Sequence, residues 1–472
     1  MTATADNAAA GVTTDVTPDV TPGVTPGVTD YDPASYDPRS PEVKQNIEEH
    51  FERLRTTCPV HHHVFDQAEL KELNDNPYVA GPVTELYSFM RHRDVEEILQ
   101  SPDRFLSIEG AGPERMTPVE GTGMLVWSDG ETHRRSRKIC LPAFSPKNIA
   151  PLAPMLQTRI DDLIDGFADT GHLDLMADFA LPVTSGMIAH LIGLPIERAP
   201  EILEWGYAVI ATFGGDDESY QRGLWSLGKI GEFLAEVGPE RARRRAEGEE
   251  LFDAITHVLT TEDDNGSRFT PQEAVVAVSQ FLGAGIESSA TAMCNGIYLL
   301  CTNPDERRKL AENPALIGTA VEEILRYMAP IEGTCRTAAA DMEFGGVPLR
   351  AGTKIRPVYA SANMDEEVFA DPKRFRVDRD RSELRRHVTF GTGVHSCLGA
   401  ALARRELALG ISTLLRRIPT LELDPTEEPT RNTIFLVHGF DYLPIRWDPA
   451  SVLPRAQDPV RAATAATGPA VS

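Results

Sequence analysis

The sequence predicts a mainly α protein with a smaller β-rich lobe. Amphipathic windows at helical spacing dominate the chain, while alternating apolar segments are fewer and short. A third observation bears on domain count. At 472 residues the chain exceeds the usual single core, yet its motifs follow one another without a break from about residue 85 to 445, which argues for one large unit.

Helical windows fall at 94–99, 151–167, 202–212, 225–245 and 313–328. Strand signals fall at 86–90, at 342–349 around the turn pair Gly345-Gly346, at 354–358, and at 434–437 followed by 442–445. The phrase Thr270-Pro271-Gln272-Glu273 is a capping box with proline at the first helical position, opening an apolar pattern that runs to about Thr302. Such a helix would be roughly 45–50 Å long at 1.5 Å per residue. Its centre, Gly283-Ala284-Gly285-Ile286-Glu287-Ser288-Ser289, gathers poor helix formers and predicts a local bulge.

Residues 1–35 carry a tetrad repeat from Asp15-Val16-Thr17-Pro18 to Gly27-Val28-Thr29-Asp30, with almost no large side chains, and are expected to be disordered. A tail over 448–472 has similar composition, which leaves 36–447 as a single catalytic domain. Neither end pairs a basic region with an apolar run, and no apolar stretch is long enough to span a bilayer. The expectation is a cytoplasmic protein without a membrane anchor. A net charge of −25 argues against nucleic-acid binding. His61-His62-His63 is expected in a solvated loop rather than at a metal.

One cysteine stands out. Phe390-Gly391-Thr392-Gly393-Val394-His395-Ser396-Cys397-Leu398-Gly399 places Cys397 in a glycine-punctuated loop just before a predicted helix, 400–410. The glycines permit positive φ and close approach of a flat ligand, and the helix N-terminus favours an ionised sulfur. The other five cysteines show no C-x-x-C spacing and are expected to be inert. Upstream, Glu323 and Arg326 lie three apart on one face of a predicted helix, and His133 and Arg137 lie four apart on another.

The Cys397 loop resembles the haem-binding signature of the cytochrome P450 family, and the order of the other motifs agrees with that family. The resemblance implies the P450 fold and haem b, with Cys397 as iron ligand and Phe390, Gly391, Gly399 and His395 in the cofactor loop. A thiolate ligand pushes electron density through haem iron and favours O–O cleavage. His133, Arg137 and Arg336 are implied to hold the propionates. Glu323 and Arg326 are implied to form a buried structural triad with an arginine of the segment Phe369-Ala370-Asp371-Pro372-Lys373-Arg374-Phe375, which nominates Arg374.

Glu287 and Ser288 resemble the family's acid–alcohol pair, where threonine is usual in place of Ser288. A serine hydroxyl can still hold a water or donate a proton, with a freer rotamer, or it can bond back to a carbonyl one turn earlier. The substrate pocket is implied at Val278, Leu282, Ala284, Ile331, Glu332, Val437 and His438, the last contacting either substrate or a turn carbonyl. Basic residues Arg134, Arg135, Lys138, Arg385, Arg386, Arg404 and Arg405 cluster around the thiolate motifs in the sequence and suggest docking of an acidic ferredoxin-type electron donor. The implied activity is hydroxylation of a hydrophobic small organic molecule with O2. The alternatives are a peroxide-using or non-monooxygenase member of the fold, and a haem-based gas sensor.

Overall fold

The computed structural model describes residues 32–74, 81–116, 124–194, 196–211 and 217–455. From Pro33 onward the chain forms one compact unit. The expected disorder of residues 1–35 falls mostly outside the described residues, which begin with Asp32 and a 3-10 turn at Pro33–Ser35.

The long helix spans Pro271–Thr302, where the capping box places it. Thr270 Oγ1 accepts the Glu273 amide at 3.2 Å, and the Glu273 carboxylate accepts the Thr270 amide at 2.7 Å. Its apolar face supplies the main core and is flanked by the helices Leu181–Ile192, Ala199–Ala211 and Ala400–Arg417. Helices approach closely where glycine removes a side chain. A Cβ at Gly296 would lie 2.7 Å from Ile411 Cδ1 and 3.0 Å from Ile324 Cδ1, so the glycine makes room for two isoleucine side chains to seat against the long helix.

The expected bulge is absent: helix runs without interruption through 283–289. The glycines serve close approach instead of bending. A Cβ on Gly285 would fall 2.5 Å from Ile188 Cδ1, and one on Gly283 would touch Val209 and Ile210.

The β lobe is a five-stranded sheet in the order Val60–Val64, Glu85–Phe89, Lys354–Pro357, Arg336–Ala338, Phe105–Leu106, with one parallel pair, Glu85–Phe89 on Lys354–Pro357. Its edge strand contains His61-His62-His63, which the sequence had suggested was a loop. Alternation explains the strand: His61 is buried while His62 faces out, stacked on Tyr87 at 4.2 Å. The hairpin Met342–Phe344 with Val347–Leu349 turns at Gly345 and Gly346, whose φ values of 61° and 82° suit a two-residue turn.

The segment 434–437 is a turn rather than a strand, touching Ile331 through a single bridge at Val437. The strand expected at 442–445 divides between two sheets: Phe440–Tyr442 pairs with Thr430–Arg431, and Pro444–Arg446 pairs with His172–Asp174 and Glu422–Leu423. The tail is ordered further than its composition suggests. Residues 448–455 are docked, with Leu453 N bonded to Arg417 O at 2.8 Å and Arg455 paired to Asp162 and Asp165. No helix among the described residues is long and apolar enough to cross a membrane.

Candidate active site

The cysteine loop is closed by Cys397 N donating to Phe390 O at 2.8 Å. Gly391 and Gly393 both take positive φ, 65° and 69°, and a Cβ at Gly393 would lie 2.7 Å from Leu99 O. Cys397 is exposed, whereas Cys140, Cys294 and Cys335 are buried and Cys58 and Cys301 half-buried. Desolvation by the loop pushes the free Cys397 thiol up. The Gly399 amide, Arg404, Arg137 and the Ala400 amide pull the other way, so the surrounding charges and dipoles favour sulfur as an anion. Cys140 shows the contrast: burial alone pushes it up to about 12, with nothing to stabilise a thiolate.

Beside the loop lie the nitrogen donors. His133 is buried with its ring 4.1 Å from that of His395, and neither ring nitrogen has a hydrogen-bond partner among the described residues. Burial, then the charges of His395 and Arg137, depress its pKa to about 4. Among the described residues, the Arg137 side chain makes one hydrogen bond, to Ser396 Oγ at 3.2 Å, and Arg336 uses only Nη1, on Thr334 Oγ1 and Cys335 O. His395 is steadied by Ser107 Oγ at 3.3 Å and Asp129 Oδ1 at 3.4 Å. Exposed thiol, spare cationic donors and Cβ-free loop positions fit an iron-bearing macrocycle with negatively charged edge groups.

Behind the loop, Glu323 accepts from Arg326 at 2.7 and 3.0 Å and from Arg379 Nε at 2.9 Å, and all three side chains are wholly buried. The third member is therefore Arg379, which corrects Arg374. Arg374 is exposed, lines a surface cavity of about 810 Å3 with Thr302 and Lys373, and reaches the triad only through its carbonyl, which accepts from Arg379 Nη2 at 2.7 Å. Two turns shape this segment, closed by Arg374 N on Asp371 O at 2.9 Å and Arg379 N on Arg376 O at 3.2 Å, and they bury Phe375, Val377 and Arg379 while the Arg374 side chain stays exposed.

On the long helix the accessible stripe is Gln280, Ala284, Glu287 and Ser288. Val278 and Leu282 point away from it and are sealed in the main core, which corrects their place in a pocket. Ser288 Oγ donates to Ala284 O at 2.6 Å, the back-bonded arrangement. Glu287 is half-buried, and burial followed by the nearby Asp441 charge raises its pKa. Gln280 Oε1 accepts the Leu125 amide at 2.6 Å and ties the preceding loop to this helix. Next to Ser288 in the chain, buried Ser289 acts on Glu406, a carboxyl that burial pushes up to about 8 against the opposing pull of the Ser289 hydroxyl and whose Oε1 has no hydrogen-bond partner among the described residues.

Glu332 and His438 do not face a cavity. Glu332 is wholly buried between Lys44 and Arg356, and His438 is buried between Ala329 O at 3.1 Å and Glu48 at 3.0 Å. Glu332 is corrected from a substrate contact to an internal tie, and of the two alternatives for His438 the structure shows the one on a backbone carbonyl, which corrects its place in the pocket. Ile331 is half-buried, and Val437 is buried with its carbonyl taken by Lys44.

The cytochrome P450 family profile matches residues 226–439. The chain is 34% identical to nocardicin C N-oxygenase of Nocardia uniformis subsp. tsuyamanensis over 366 residues, 76% of this chain and 88% of that protein. The chain belongs to the cytochrome P450 family. It is also 30% identical to the vitamin D(3) 25-hydroxylase of Pseudonocardia autotrophica, over 79% of this chain and 89% of that enzyme. Among solved structures, P450BioI in complex with an acyl carrier protein bearing hexadec-9Z-enoic acid superimposes with a TM-score of 0.71 at 26% identity, covering 86% of this chain and all of that one. CalO2 superimposes at 0.73 and 25% identity, covering 88% and 99%. This P450 is accordingly a haem-thiolate monooxygenase that binds iron protoporphyrin IX and uses O2.

In this P450 most basic residues near the cysteine loop are already paired. Arg135 binds Asp263 at 2.8 Å and Glu273 at 2.6 Å, Arg404 binds Glu322 at 2.6 Å, Arg134 binds Glu131 at 2.5 Å, and Lys138 binds Asp264. Arg385 and Arg405 have no side-chain partner among the described residues. Sequence reading missed Arg379, Asp129, Gln280 and Glu406. The alternation Phe375-x-Val377-x-Arg379 was a signal for the first, while the others depend on contacts far apart in the chain.

Proposed function

We propose that this P450 hydroxylates a hydrophobic small organic molecule with electrons from a ferredoxin-type donor, with Cys397 as the iron ligand. The observation that supports it best is the exposed Cys397 sulfur at the head of the helix Ala400–Arg417, where the Gly399 and Ala400 amides and Arg404 favour its anion, beside a cluster of under-used nitrogen donors. When bound, the haem supplies O2 activation. His133, Arg137 and Arg336 hold its propionates, His395 orients the loop through Asp129, and Phe390 supports the sulfur beneath the Arg404 guanidinium, 4.4 Å from its ring. Glu287, held toward its neutral form, carries protons in from solvent. Ser288 holds a water once its hydroxyl turns from Ala284 O. Ala284 and Ile331 line the substrate side, and exposed Arg385 with half-buried Arg405 receives the acidic donor.

The test is the reduced, carbon monoxide-bound spectrum. The far-shifted Soret maximum of thiolate ligation is expected in the wild type and absent in Cys397→Ala; its survival in that variant overturns the reading. Turnover sustained by reductant and not by peroxide separates this reading from the peroxide-using alternative.

A further inference from the structure

We propose that Lys44, in the short helix Pro41–Gln45, is a positioning residue for the substrate wall, because it ties together the two turns that carry Ile331 and Val437. The inference rests on reading those turns as pocket wall, and it adds the N-terminal helices to the parts of the chain that set specificity.

Lys44 is 3% exposed, and its Nζ meets both the Glu332 carboxylate and Val437 O, the latter at 2.6 Å. Glu332 in turn binds Arg356, whose guanidinium donates to Phe435 O and Tyr36 Oη at 3.2 Å each and lies 4.3 Å from the Phe435 ring. One carboxylate on the first turn thus gathers two cations, and each cation also holds a carbonyl of the second turn. Backbone bonds join the same turns: Glu332 N to Leu436 O and His438 N to Pro330 O, both at 2.9 Å. A second tie comes from the helix Ile47–Thr57, where Glu48 meets His438 and Arg431 at 3.0 Å.

Neither turn belongs to a continuous ladder, so few backbone bonds fix their separation. Buried ionic hydrogen bonds are directional and strong at short range, and suit the task of fixing one arrangement among several of similar compactness. Lys44 reaches this point from nearly three hundred residues upstream of Glu332. The wall's geometry is therefore set by a part of the chain remote from every haem-site motif.

The experiment uses the full-chain holoprotein with two probes that ligate haem iron through nitrogen: imidazole, which is too small to reach the wall, and 4-phenylimidazole, which fills the space beside it. In Lys44→Met, Glu332 keeps Arg356; in the double variant Lys44→Met/Glu332→Gln, no carboxylate is left without its lysine. Both are expected to keep the carbon monoxide spectrum and imidazole affinity within about twofold while 4-phenylimidazole binding weakens about tenfold, the worth of one charge-assisted contact. An unchanged affinity ratio overturns the proposal, as does equal weakening of both probes or failure of both variants to retain haem. Ile331→Trp in the wild-type background tests the underlying reading. If 4-phenylimidazole ignores that substitution, the turn is not pocket wall, and the failure belongs there rather than to Lys44.

Discussion

The thiolate loop with its supports and the long helix with Glu287 treat carboxyl groups in contrary ways. On the loop side each acid is clamped: Glu323 lies between Arg326 and Arg379, and Asp129 takes two amides and His395. Burial pushes Glu322 up, but His387 and Arg404 outweigh it and hold that carboxyl at about 2. Along the long helix, Glu287 and, buried against it from the helix Ala400–Arg417, Glu406 have no cation partner among the described residues, and burial raises both. Fixed anions hold a scaffold in place; uncompensated acids keep protons near neutral pH. Under the proposed reading, the difference separates anchoring from proton handling within one site.

The largest effect should come from breaking the clamp. Removing Arg379 by Arg379→Ala leaves Glu323 short of a buried partner and is expected to cost about 3–5 kcal/mol of stability, with loss of haem retention. Arg374→Ala, by contrast, should leave the melting temperature nearly unchanged, since its side chain is exposed and has no partner among the described residues while its backbone bonds survive the substitution. Denaturant unfolding of both variants decides between them; equal losses would restore Arg374 to the triad.

On the helix side, Glu287→Gln is expected to lower turnover roughly 10²-fold, within the range for a lost proton-transfer group. Ser288→Ala should cost less, because its hydroxyl is committed to Ala284 O. Rates on any substrate found by a spin-state screen check the order, and a more severe serine variant would reverse the roles.

Glu406 sharpens the comparison through pH. The carboxyl ionises near 4.5 when unfolded and near 8 when folded, so the native state holds an extra proton between those values and stability falls as pH rises across that window. Glu406→Gln should flatten the fall between pH 5 and 8 in thermal melts. An identical slope in both proteins would show that Glu406 ionises normally.

The smallest effect is at the surface. Arg405→Glu should slow reduction by a ferredoxin in a salt-dependent manner, by about tenfold or less, as for rim charges that act on encounter. Arg135→Glu is a different case: it breaks the pairs to Asp263 and Glu273 and should lower stability instead. Stopped-flow reduction beside thermal melts distinguishes the two.

The long helix, its capping box, the glycine hairpin and the Cys397 loop were legible because each rests on short-range rules of capping, turn dihedrals and spacing. The partner of Glu323 was misplaced by five residues because the choice depends on which side chains the turns at 371–379 bury and which they expose. Gly283 and Gly285 suggested a bend when considered alone, and Ile188 and Val209 turned them into contact points. Glu332 and His438 stood out as polar residues in a predicted apolar pocket, and only the fold supplied their partners from the helices at 41–57.

By itself the sequence determined the helix-rich architecture, the family and the glycine-punctuated loop that carries Cys397, since these follow from local pattern and motif order. Tertiary structure decided which charges are paired, which face of the long helix is accessible, and what holds the two turns beside it. Those outcomes depend on groups brought together from distant parts of the chain, where burial and Coulomb attraction act over a few ångströms and sequence separation carries no information.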